Sequence, residues 1–97
     1  MRDKIIKILL SVGVTPDLSG FEKIVSAIEI KMQENLGMTK IYNRLATDTS
    51  YANVERQIRH AISKADKESD AWKKYVGLKD VKNSKVVYTL ALNITEE

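Results

Sequence analysis

The segment Tyr51-Ala-Asn-Val-Glu-Arg-Gln-Ile-Arg-His-Ala-Ile62 holds the densest set of chemically able side chains in the chain. At ~100° per residue, Tyr51, Val54, Ile58, Ala61, Ile62 and Ala65 share one arc, the core face of a helix. The opposite arc gathers Ala52, Asn53, Arg56, Arg59, His60 and Ser63, with Glu55 at the boundary. Asn and Arg are planar groups that hydrogen-bond base edges bidentately, and an α-helix fits a B-DNA major groove. Ala52 and Asn53 are small, so the N-terminal end of the helix can approach a groove closely. The plainer reading is a solvated face with Glu55 and Arg59 as an i,i+4 ion pair.

Other chemistry is poorly supplied. His60 is the only histidine and there is no cysteine. One imidazole makes neither a metal site nor a base–nucleophile set, so no enzyme, cofactor or metal is expected. His60 instead suits a phosphate contact, which its protonation would make mildly pH-sensitive. The absence of cysteine excludes disulfides and fits a reducing, cytoplasmic setting.

The helix must be positioned by what surrounds it. The chain's 97 residues, 43% of them hydrophobic, suit one domain over 1-97 with one modest core. The net charge of +3 is mild, so its placement matters more than its total. No apolar run approaches the ~20 residues of a membrane span. Met1 to Val12 is basic and then apolar, but Lys7 breaks it and no small-residue cleavage site follows. It reads as a first helix with Ile5, Ile6, Leu9, Val12 and Leu10 inward, rather than a targeting segment. Ser19 and Glu22 have capping-box spacing before Phe21, Ile24, Val25, Ile28 and Met32, a helix that should run to about Asn35. Met38 to Ala46 forms a short helix through Ile41, Tyr42 and Leu45. The turn Thr47 to Ser50 offers Thr49 or Ser50 as the next N-cap. The quoted helix should continue to Asp66 or Lys67, with Tyr42 and Tyr51 packed between the paired helices and their hydroxyls near the surface. Asp70 to Val76 allows another short helix ended by Gly77, where Trp72 and Tyr75 read as core rather than base-stacking groups. The tail Val86 to Ile94 suits a strand or a helix equally by local pattern.

Two blocks carry a family resemblance. Val54-Glu55-Arg56, Ile58-Arg59-His60-Ala61-Ile62 resembles the recognition helix of the C-terminal effector domains of the stage-zero sporulation response regulator A family. Gly13-Val14, Leu18, Gly20-Phe21, Ile24 and Ala27-Ile28 follow the same family's spacing without a gap. Met38-Thr39-Lys40 and Ile41 to Ala46 resemble its next helix, and Asn83-Ser84 the start of its last. The resemblance implies an all-α fold of about six helices around a central helix-turn-helix, winged-helix-like without a clear wing. It makes the tail a helix. It implies a regulator of transcription that reads a short box in double-stranded promoter DNA, often as tandem or dimeric molecules.

Carried over, the recognition positions are Glu55, Arg56, Arg59 and His60. Arg56 would take a guanine edge; Glu55 would accept from cytosine or orient Arg56; Arg59 and His60 would meet phosphates or flanking bases. Lys40, Arg44 and Lys64 flank the motif as phosphate anchors, with Lys73 and Lys74 weaker candidates. Asn53 stands where the family has Arg, and Asn favours adenine geometry, so the target box should differ. The segment between Ala46 and Val54 is shorter than the family's. The family also carries a receiver domain, and this chain begins almost at the effector domain; if Met1 is a natural start, regulation by receiver phosphorylation would be lost. The rival expectation is a protein-interaction module of the same fold that binds RNA polymerase, a sigma factor or a full-length sporulation regulator.

Overall fold

The computed structural model describes residues 2–79 and 81–96. Six helices occur among them: α1 (Arg2–Ser11), α2 (Phe21–Glu34), α3 (Met38–Leu45), α4 (Tyr51–Ser63), α5 (Asp70–Tyr75) and α6 (Asn83–Thr95). The domain is all-α. The central element is α2, which packs against α1, α3, α4 and α6, while α5 closes the far side against α1 and α6. Phe21, Ile24, Val25, Ala27 and Ile28 are all buried along it.

The tail resolves to a helix because Val86, Val87, Leu90, Ala91 and Ile94 are buried together, an i, i+3/i+4 stripe that a two-residue period would scatter over two faces. In α1 the inward residues are Ile5, Ile8 and Leu9, continued by buried Val12 just past its end. Ile6 is only half-buried and Leu10 is 45% exposed, so the helix is rotated from the expected stripe to a stricter i, i+3, i+4, i+7 face. Met1 lies outside the described residues.

The capping box expected at Ser19 and Glu22 does not form. The N-cap of α2 is Gly20, with no side-chain cap, and Glu22 pairs with Arg2 instead. The reason is packing. A Cβ on Gly20 would stand 2.1 Å from the Gln57 carbonyl oxygen and 3.2 Å from the Ala61 Cβ. The start of α2 therefore presses its bare backbone onto the backbone of α4. Its φ of −87° is ordinary, so closeness of approach and not left-handed geometry demands glycine here.

The helix α4 also stops earlier than its apolar pattern suggests, at Ser63 rather than Asp66 or Lys67. Lys64 and Ala65 N–H groups bond three residues back, to Ala61 and Ile62, which tightens the final turn. The Asp66 N–H is then taken by the Val12 carbonyl at 2.8 Å, stitching the end of α4 to the end of α1. The short α5 follows as read: Ser69 accepts from the Trp72 N–H, Trp72 is buried, and Gly77 at φ 66° ends it.

Gly20→Ala should destabilise the domain by about 1–3 kcal/mol, because the collision is with backbone that cannot swing aside. Gly37→Ala, where a Cβ meets nothing within 4 Å, should change stability by under about 0.5 kcal/mol. Urea midpoints of the two variants provide the comparison.

Candidate nucleic-acid interface

A helix-turn-helix pair is built by α3 and α4. The turn 46–50 between them is held from two sides. Lys23 of α2 donates to the Leu45 carbonyl at 3.1 Å and reaches Asp48 at 3.4 Å. Ser50 caps α4, its hydroxyl accepting from the Asn53 N–H at 3.1 Å. Such a cap contributes about 0.5–2 kcal/mol and fixes where the helix begins. The first residue of α4, Tyr51, meets Tyr42 of α3 edge-on, ring centroids 5.1 Å apart. Tyr51 was expected in the core; it is 37% exposed, because the edge-on contact at the helix start covers only part of the ring. The Tyr42 hydroxyl is not near the surface either. It accepts from Asn83 Nδ2 at 3.0 Å, in a buried contact with the start of α6.

Below this start, Val54, Ile58, Ala61 and Ile62 are buried and the other arc of α4 is left to solvent. That arc divides into two flanks. Asn53, Arg56 and His60 line a depression of about 300 Å³ with Ser19 and Gln57, beside the start of α2. Glu55 and Arg59 line another of about 330 Å³ with Met38, Tyr42 and the α6 start. Each flank carries an internal link. Arg56 Nη2 donates to Asn53 Oδ1 at 2.5 Å, and Asn53 Nδ2 donates to Thr49 Oγ1 at 2.7 Å. Arg59 Nη1 donates to Glu55 Oε1 at 2.5 Å, the i,i+4 pair of the plainer reading. It is therefore Asn53 that orients Arg56, whereas Glu55 is engaged with Arg59.

The remaining candidates are spread out. Lys64 is the C-cap of α4, at the opposite end from Asn53. Lys40 is exposed on α3. Arg44, also on α3, pairs with Glu34 near the end of α2 and lines neither depression. Lys73 and Lys74 belong to α5, which packs on α1 and α6. Periodicity pointed to neither Thr49, Ser19 and Gln57 nor Asn83 and Ser84, all of which border the exposed arc through the fold. Among the described residues no group of three or more His, Asp or Glu is placed to hold a metal ion. No described helix is long and apolar enough to cross a membrane.

The same arrangement follows a known family along almost its whole length. The model of the family described as "Sporulation initiation factor Spo0A C terminal" matches residues 5–94. The chain belongs to that family. It is thus a domain of the DNA-binding effector type that serves sporulation and transcription regulation. No curated protein and no solved structure matches the chain.

Tyr42 gives the interface a titratable marker. Burial pushes its hydroxyl above the usual tyrosine range, the Asn83 hydrogen bond acts in the opposite direction, and the Glu55 charge adds to the rise. A raised folded-state value means that folding favours the neutral phenol. That contribution is complete below the unfolded tyrosine value of about 10 and fades as pH rises through the higher folded value. Wild type should therefore lose stability more steeply than Tyr42→Phe between about pH 9 and pH 11. Urea melts at both pH values measure the difference.

Proposed function

We propose that this domain is a sequence-specific reader of double-stranded promoter DNA that inserts α4 into the major groove. The observation that carries the reading is the division of α4 itself. Below Tyr51 its apolar arc, Val54, Ile58, Ala61 and Ile62, is buried in the core, and its other arc presents Asn53, Arg56, Arg59 and His60 outward from a Ser-capped turn. The N-terminal residues of such a helix are the ones that reach base edges.

Arg56 is the base reader, with its fork directed at the O6 and N7 acceptors of guanine. Asn53 joins it at the base edge and holds its guanidinium, so the two present themselves as a unit. Glu55 sits where it can accept from a cytosine amino group, at the cost of its exposed bond to Arg59. Exposed pairs of this kind contribute only ~0–1 kcal/mol, less than a bidentate base contact supplies, so exchange is favourable. Arg59, His60, Lys64, Lys40 and Arg44 supply attraction to phosphates. Tandem or dimeric binding on adjacent boxes is the arrangement this mode of reading suits.

The test is anisotropy on a duplex carrying the family's box and on a scrambled duplex, over a salt series. Arg56→Ala should reduce the preference between them by a free energy of ~1–3 kcal/mol. Lys64→Ala should weaken both duplexes alike and lower the salt slope by about 1. Loss of specific and non-specific binding in equal proportion from both variants would overturn these roles. A folded wild type that binds neither duplex would shift the reading to a protein-interaction module directed at RNA polymerase, a sigma factor or a full-length regulator.

A further inference from the structure

Among the described residues, Asn83 is the only buried non-aromatic polar side chain, 9% exposed at the start of α6. Its Nδ2 donates twice: to the Tyr42 hydroxyl of α3 and to the Glu55 backbone carbonyl of α4, both at 3.0 Å. Its Oδ1 is buried with no hydrogen-bond partner among the described residues. An unpaired buried carbonyl costs free energy, and an aliphatic side chain of similar size would avoid that cost. What an aliphatic side chain lacks is direction. Hydrogen bonds fix angle as well as distance, and these two run from one amide to the two helices of the motif.

The consequence falls on the exposed arc of α4. The carbonyl that Asn83 holds is that of Glu55, next to Arg56; the Glu55 carboxylate accepts from Arg59. The hydroxyl that it holds belongs to Tyr42, whose ring meets Tyr51 at the first residue of α4. On its other side α4 is pressed by the bare backbone of Gly20. Rotation of α4 about its axis, which would swing Arg56 and Glu55 relative to α3, is opposed by Gly20 on one side and by the Asn83 amide on the other.

We propose that Asn83 is a positioning residue for base reading: its amide, joined to Tyr42 and to the Glu55 carbonyl, sets the angle at which α4 presents its base-reading side chains. This rests on the reading of α4 as the DNA-reading helix. Asn83 acts through α4 and touches no base.

The experiment uses the full chain and a duplex enriched from a random library by the wild type, beside its scrambled form. Both affinities are measured at one salt concentration, at a temperature where circular dichroism shows each variant folded. Asn83→Ala should reduce the ratio of specific to scrambled affinity by about tenfold, within the range of one bidentate base contact. Scrambled-duplex affinity should stay within about twofold, since phosphate contacts are untouched. Tyr42→Phe keeps the ring and its stacking, removes one of the two acceptors, and should reduce the ratio by about threefold. The double variant should fall no further than Asn83→Ala alone. If Asn83→Ala does not fold, Tyr42→Phe alone decides. An unchanged ratio, or equal weakening on both duplexes, leaves Asn83 a stabilising residue only and overturns the proposal. Failure of the wild type to enrich any duplex would overturn the DNA reading itself, and the proposal with it, before any variant is compared.

Discussion

The structure depends on one close approach, that of the α2 N-terminus to the backbone of α4 at Gly20 and Gln57. Two helices normally keep 8–10 Å between axes because side chains stand between them. At Gly20 no side chain stands there, and α4 is drawn against the hub of the domain. Because the N-cap of α2 is spent on this contact, the helix start goes without a side-chain cap, and Glu22 is released to pair with Arg2. From the other direction, Lys23 on the first turn of α2 grips the turn before α4. A single stretch, residues 20 to 23, thus sets both the depth and the entry point of α4. A small domain can hold α4 firmly in this way without a large core.

The exposed arc follows a different logic. Its links are short-range and lie at the surface: Asn53 with Arg56, Glu55 with Arg59. Each joins residues one helical turn apart, so each forms as the helix forms. They are weak in water, and that weakness is useful. A guanidinium already extended toward a neighbour loses less freedom on meeting a base than one that wanders over many rotamers. The rigid part of the interface lies below the surface, in Tyr42, Asn83 and Gly20. The exposed part remains exchangeable.

This division explains what could be read from the sequence. The short-range features were legible: the Ser50 cap, the buried face of α4 from Val54 to Ile62, the i,i+4 pair, the Gly77 stop and the short α5. Each is a matter of spacing within a turn or two. The features that failed all depend on a distant part of the chain. Ser19 and Glu22 have perfect capping spacing, yet Gly20 answers to Gln57 instead. Apolar periodicity carries α4 past Ser63, yet the Asp66 N–H answers to Val12. Tyr51 falls on the apolar arc, yet the Tyr42 ring meets it edge-on and leaves it partly wet. The tail was ambiguous by pattern because β-branched residues serve strands and buried helices alike; the resemblance implied a helix, and packing on α2 settles it. Of the site, the residues on α4 were visible, and those that position them were not. Asn83 sits 28 residues from Glu55 and 41 from Tyr42, with no periodic signal to join them.

The position of Asn53 brings the two levels together. The resemblance implies an arginine at this position in the family, a longer side chain than the asparagine found here. Asparagine is short, and both ends of its amide are engaged, one by Thr49 and the other by Arg56. Thr49 lies in the turn, whose own placement is set by Lys23. The replacement therefore exchanges an independent guanidinium for a bracket that ties Arg56 back to the frame. On the proposed reading, such a bracket would offer fewer cationic forks to guanine at the start of α4 and would hold Arg56 closer to the frame. Any change in its target box should then be concentrated at the bases facing Asn53 and Arg56, while the bases facing the Arg59 end keep the family's preference.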